Sequence, residues 1–214
     1  MMKKRIGLLS MAMLLMLMLV TACGGKDKEV SLGVTESGSY TNDYFGLSLK
    51  FPKEWVYQNA DQMMKLMEAG QEVVAGDNKA KKKMLDLAKT KTLNLLMASE
   101  FPLDSGKNGP SAIAVAEKVS MLQGIKTGKD YLESSKKLMV DSKLPYKFED
   151  IKTVKVGGKD MDLMKASIDA GAGVVNQEYY STIIDGYAFN LILTYVDDKS
   201  KAETDKILES LSFK

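Results

Sequence analysis

Cys23 is the one cysteine of the chain, and histidine is absent. A lone thiol can build neither an internal disulfide nor a thiolate metal site. Acylated, it becomes an anchor and is lost as a nucleophile. The lack of histidine removes the commonest general base near neutral pH and the commonest zinc ligand. Acid–base work would fall to carboxylates and lysines, present as 28 Asp+Glu and 30 Lys+Arg. Most hydrolases and metalloenzymes are disfavoured on these grounds. A carboxylate-only hydrolase such as a glycosidase would need two suitably spaced acids in one cleft.

Other patterns approach chemistry without reaching it. Ser134-Ser135-Lys136-Lys137 contains Ser-x-x-Lys, and Lys126-Thr127-Gly128 lies just upstream. The pair is similar to motifs of penicillin-binding enzymes, but there Lys-Thr-Gly follows far downstream, and no Ser-x-Asn motif occurs here. In Gly124-Ile125-Lys126-Thr127-Gly128-Lys129-Asp130, three residues separate the glycines where a phosphate loop needs four. Asp130 stands where Ser or Thr would hold magnesium, so this reads as a turn before a helix. Asp104-Ser105-Gly106-Lys107-Asn108-Gly109 has the rhythm of a calcium loop, but Gly106 occupies a ligand position and Val115 that of the bidentate Glu. The acidic pairs Glu149-Asp150, Asp160 with Asp162, and Asp197-Asp198 are expected at solvated strand ends. No metal or cofactor is expected.

The surroundings of Cys23 give its chemistry a location. Lys3, Lys4 and Arg5 precede Ile6–Val20, an uncharged run dominated by Leu and Met, and Val20-Thr21-Ala22-Cys23-Gly24-Gly25 follows. At 15 residues the run falls short of the roughly 20 that span a hydrocarbon core. The basic, apolar, then small-residue layout is that of an export signal. It closely resembles a bacterial lipoprotein signal: a lipobox cleaved after Ala22, with Cys23 receiving diacylglycerol. Two acyl chains, at ~0.8 kcal/mol per buried methylene, hold a protein on a membrane without inserting it. Gly24-Gly25 and the high lysine content are similar to Gram-positive surface proteins. The expected location is the extracytoplasmic face of the cell membrane, reached through this anchor.

Loss of the leader leaves 27 basic against 28 acidic side chains, so no nucleic-acid partner is expected. Residues 1–22 read as signal peptide and 23–39 as lipidated N-terminus and flexible linker, in which Val30, Leu32 and Val34 could instead form a short strand; as a coil, 24–39 reaches on the order of 20–24 Å. Residues 40–214 read as a single domain. Lys79–Lys91 carries six lysines against Asp86 alone. Lys79, Lys81, Lys82 and Lys83 could meet anionic headgroups or wall polymer at ~1 kcal/mol per lysine, or simply be a solvated face. Met63, Met64, Met67 and Met84 suit core filling or an adaptable apolar surface.

These residues need a scaffold, and periodicity supplies one. Leu47, Leu49 and Phe51 alternate along a strand ended by Pro52. Asn59–Ala75 and Lys79–Lys89 read as helices; Thr92–Ser99 and Ala112–Val119 read as strands around a polar loop. Thr127 caps a helix through Val140, with Asp130 completing an imperfect capping box. Gly157-Gly158 joins strands at Ile151–Val156 and Lys159–Ala170, and Asp185-Gly186 joins Val174–Ile184 to Tyr187–Val196. A helix over Ser200–Ser210 precedes a short strand at Leu211–Phe213. Leu47, Phe51, Trp55, Phe189, Leu191 and Leu193 are expected inside.

Tyr44-Phe45-Gly46-Leu47-Ser48-Leu49-Lys50-Phe51-Pro52-Lys53-Glu54-Trp55 resembles the entry motif of PsbP-like and related bacterial lipoprotein domains. There an aromatic-Gly strand runs into a Pro-x-x-Trp turn. The closing segment, Ala202 to Phe213, resembles them too. The Met-rich stretch Asn59–Lys91 departs from that pattern as an insertion. The resemblance implies an α+β fold, an antiparallel β-sheet packed with helices (a PsbP-like α/β sandwich), serving mostly as a binding or assembly module. The expected function is a non-catalytic module for a protein or envelope polymer. A carrier of a small apolar ligand between sheet and Met-rich helices is the alternative, and a carboxylate hydrolase a third.

Overall fold

The computed structural model describes residues 30–65, 91–102, 105, 107–120, 122, 124–141, 144–169, 171 and 173–214. The chain divides into two units, Met1–Val30 and Ser31–Lys214, and all but Val30 of the first lies outside the described residues. The strands of the second are β1 (Val34–Glu36), β2 (Ser39–Asn42), β3 (Leu47–Lys50), β4 (Val56–Asn59), β5 (Thr92–Ser99), β6 (Ser111–Lys118), β7 (Lys147–Phe148), β8 (Lys152–Val156), β9 (Lys159–Asp169), β10 (Val174–Ile184), β11 (Tyr187–Tyr195) and β12 (Ser212–Phe213). Helix α1 (Gly128–Asp141) follows β6, and α2 (Asp198–Ser210) follows β11.

The strands form two sheets, a small one ordered β1-β2-β3-β12 and a large one ordered β4-β5-β6-β11-β10-β9-β7, with β8 also on β9. Every pairing is antiparallel. This is the expected α+β arrangement of antiparallel sheet and helices. Both expected hairpins form. Asp185 and Gly186 have φ of 48° and 78°, the left-handed pair whose twist matches that of the flanking strands.

Strict alternation selects the inner face. Phe189, Leu191 and Leu193 of β11 stand opposite Ala116, Ala114 and Ala112 of β6, and all six are buried. The alanines leave room for Leu47 and Leu49 of β3 and Ile207 of α2, which belong to the same apolar cluster. The core therefore lies between the two sheets, with α2 sealing one side. Leu47, Phe51, Trp55, Phe189, Leu191 and Leu193 are each at most 5% exposed. Phe45 stacks edge-on with Tyr44 and Tyr187, at centroid distances of 4.9 and 5.7 Å.

Helix α1 covers the opposite face of the large sheet. Its N-terminus lies on Ser181 of β10, a position that alternates away from Tyr180 and the core. Of its residues only Gly128 and Leu132 are buried.

Several boundaries differ from the sequence reading. The described sheet begins at Val34, so the supposed linker 23–39 already contributes β1, and the compact unit starts at Ser31 and not at Tyr40. Three residues with one partly covered side chain carry too little periodicity to announce a strand. Asn59 ends β4 and caps a helix that starts at residue 60. Its side chain accepts from the Gln62 N–H (3.0 Å), and Gln62 accepts from the Asn59 N–H (2.9 Å). The rest of the helices expected through Lys89 lies outside the described residues. Strands β4 and β7 were not expected; each is short and set by pairing with a longer neighbour.

Candidate functional site

The segments of α1 that approach catalytic motifs are occupied with holding the helix. Thr127 Oγ1 accepts from the Asp130 N–H (3.1 Å), and Asp130 accepts from the Lys126 and Thr127 N–H groups (3.0 and 2.9 Å). The Lys126 backbone bond, then those of Thr127, hold the Asp130 carboxyl below the usual aspartate range. This is a capping box with Asp in the acidic role. A carboxylate sits where a phosphate loop would leave donors open. Asp162 of β9 accepts from the Lys129 N–H (2.7 Å) and the Thr153 hydroxyl (2.7 Å). Ser134 and Ser135 donate back to the carbonyls of Asp130 and Tyr131, both at 3.0 Å. Among the other acidic pairs, Asp160 meets Lys155 at 2.8 Å, and Asp197 caps α2 through Ser200.

Among the described residues Glu178 of β10 is the buried carboxylate, being 2% exposed. It stands directly across from Lys165 of β9, whose Nζ lies 2.9 Å away. Tyr180 donates its hydroxyl to it at 2.7 Å, and Lys201 of α2 approaches to 3.7 Å. Lys201 also pairs with Asp205 and lies 5.3 Å over the Tyr195 ring. Burial alone would raise the Glu178 pKa. The bonds from Tyr180 and Lys165 and the charge of Lys201 outweigh it and hold the carboxyl below the ordinary glutamate value. The hydrogen bond to Glu178 raises Lys165. A carboxylate this well paired is neither a proton donor nor a free base.

On the α1 face, Tyr131 donates to Glu117 at 2.9 Å, and burial followed by the Glu117 charge pushes the phenol far up. Beside it the directly paired Ser181 and Asn190 are buried, and Ser181 Oγ and Asn190 Oδ1 find no partner among the described residues. The pair gives α1 a polar seat.

An apolar recess of about 390 Å³ lies where β3 runs into the Pro52 turn beside α2. Phe51, Pro52 and Ile207 form its floor, and Lys50, Glu54, Glu203 and Lys206 its rim. The turn is closed by the Trp55 N–H donating to the Pro52 carbonyl at 3.1 Å. Ser210 of α2 accepts from the Lys50 N–H (2.8 Å) and donates to the Ile207 carbonyl (2.7 Å). The Lys50 backbone is thereby satisfied, which leaves side chains to meet a ligand. Two smaller clefts, about 230 and 240 Å³, flank Phe101. An apolar floor with a rim of both signs suits a protein surface better than a polyanion. The rim residues were not singled out from the sequence. The signal was there: the Pro-x-x-Trp turn and the closing helix are the two segments that carry the family resemblance, and here they meet.

Cys23, Lys79, Lys81, Lys82 and Lys83 lie outside the described residues, as do Met67 and Met84 of the apolar stretch. Met63 is buried and Met64 is 44% exposed. Among the described residues no helix is long and apolar enough to cross a membrane.

No protein-family model matches this sequence, and no curated protein matches it. Among solved structures the chain is similar to cyanobacterial PsbP (CyanoP) from Synechocystis sp. PCC 6803. The identity is 12% and the TM-score 0.49, over 91% of this chain and 99% of that one. It is also similar to LpqN of Mycobacterium tuberculosis, a protein involved in cell envelope biogenesis, at 15% identity and TM-score 0.41 over 78% and 82% of the two chains. A protein of Bacteroides thetaiotaomicron VPI-5482 is similar at 10% identity and TM-score 0.45 over 84% of this chain, which spans 49% of that one. At identities this low, the function of this chain rests on its own residues.

Proposed function

We propose that the chain is a membrane-anchored extracytoplasmic lipoprotein whose α+β domain is a non-catalytic binding or assembly module for an envelope partner. The observation that carries the reading is the leader: three basic residues, an uncharged run too short to span, and a lone cysteine behind Val20-Thr21-Ala22. The domain supports it in two ways. Its interior between the sheets is filled by side chains such as Phe189, Leu191 and Ile207, and its best-placed carboxylate, Glu178, is consumed in ion pairs. The recess over Phe51, Pro52 and Ile207 is the surface assigned to the partner in this reading.

Two measurements test it. Metabolic labelling with a palmitate analogue should mark the wild type and not Cys23→Ala; equal labelling of both would end the lipoprotein reading. A photo-crosslinker at Glu54 should trap one dominant partner on intact cells, and charge reversal at Lys50 and Lys206 should weaken the adduct. A crosslinking pattern unchanged by the reversal would remove the recess from the proposal.

A further inference from the structure

The recess at Pro52 does not stand alone. Glu203 on its rim also borders the neighbouring cleft of about 240 Å³, whose far wall is the β5–β6 loop at Glu100, Phe101 and Pro110. Along α2 the two hollows are lined by Lys199, Glu203, Lys206 and Ser210. These positions are spaced i, i+4, i+7 and i+11, so a single stripe of the helix walls both. From Lys199 to Ser210 the helix rises about 16 Å, the length of about five residues of extended chain. The Pro52 turn and the β5–β6 loop are neighbours on the facing side, because Val56 of β4 pairs with Ser99 at the end of β5.

This groove is apolar towards its two ends and acidic between them. Phe51, Pro52 and Ile207 floor one hollow, and Phe101 and Val196 line the other. Glu203 stands where they adjoin, and Glu54 and Glu100 belong to the facing wall. Among the described residues no lysine lies within ion-pairing distance of these three carboxylates. Asp197, by contrast, is taken up in capping α2. We propose, resting on the reading that this recess meets the partner, that the groove takes an extended peptide of the pattern apolar-x-basic-x-apolar. An extended chain sends alternate side chains to one side, so one apolar residue fills the Pro52 recess and the other the Phe101 cleft. The basic residue between them is held by Glu203 and Glu100, a charge-assisted contact that an acidic segment cannot make. Recognition runs through side chains and not through strand addition at Lys50, whose N–H and carbonyl are both bonded to Ser210.

Fluorescence polarisation on the full chain in nonionic detergent tests the proposal with two labelled peptides, Leu-Ser-Arg-Ser-Leu and Leu-Ser-Glu-Ser-Leu. At low salt the Arg peptide should bind at least tenfold more tightly than the Glu peptide, and replacing both of its leucines by serine should cost a further tenfold. Glu203→Lys should invert the preference between the two. If that variant does not fold, Glu100→Lys decides by the same ratio. Equal affinity for the two peptides, binding of neither, or a preference that survives the substitution would overturn the proposal. The crosslink at Glu54 judges the underlying reading separately. An adduct still weakened by reversal of Lys50 and Lys206, beside peptides that do not bind, would keep the recess as the partner's surface and reject the peptide pattern. Failure of both would remove the recess altogether.

Discussion

The β-carbon that Gly128 lacks would stand 2.3 Å from the carbonyl oxygen of Ser181. The backbone at the start of α1 therefore rests on the backbone of β10, and Asp162 fastens it there through the Lys129 N–H. Gly128→Ala has to lift the helix off the sheet. It should cost about 1–3 kcal/mol, in the range of overpacking substitutions, visible as a lower urea midpoint at unchanged slope. A wild-type midpoint would show that α1 is not seated this closely.

Glu178 gives the fold an acid-side dependence. Its folded pKa lies below the ordinary value of 4.5, so its contribution is present above about pH 4.5 and drains away as pH falls through the lower folded value. Lys165, raised above 10.5, has the opposite sign: its contribution is present below that pH and is lost as pH rises through the raised value. Glu178→Gln should cost about 1–3 kcal/mol at neutral pH, and the gap to wild type should close below pH 4.5. A gap constant down to pH 3 would mean that the carboxylate charge does not contribute.

Trp55, 4% exposed, anchors the turn that follows β3. Trp55→Ala should lower stability by about 3–5 kcal/mol. As the one tryptophan of the chain, it also reports its own burial. Wild-type emission should be blue-shifted and move to the red on unfolding. Emission already at the solvated wavelength in the native protein would contradict its place in the core.

Neutralising Lys81, Lys82 and Lys83 to Gln should leave stability within about ±0.5 kcal/mol. If the lysine-rich stretch meets the envelope, the triple variant should bind anionic vesicles more weakly than wild type, chiefly at low salt. Equal binding at low ionic strength would leave these lysines as solubilising charge.

What was legible in the sequence is local. The Gly157-Gly158 and Asp185-Gly186 turns declare themselves within two residues, and the alternation around Phe189, Leu191 and Leu193 needs only a nine-residue strand. The capping box at Thr127 and Asp130 was equally readable. The Glu178 cluster was not, because its members come from β9, β10, β11 and α2. One clue existed: Glu178 shares the inward face with Tyr180 and Thr182, and the hairpin register sets Lys165 opposite it. The recess at Pro52 escaped for the same reason, its two walls being separated by most of the chain.

Strand β12 completes the small sheet by pairing with β3, and the Ser48 and Ser212 hydroxyls meet at 2.8 Å across 164 residues. Phe213 lies edge-on to Phe189 at 6.0 Å, and the Lys214 N–H donates to the Gly46 carbonyl at 2.7 Å. Such distant closure is slow, since its entropic cost comes before its reward. A polypeptide emerging N-terminus first thus makes β3 long before β12, the strand that pairs with it. Chains lacking residues 212–214 should be cut by protease within β3 and β11 far faster than intact ones. Without residues 212–214 the small sheet stays open along β3.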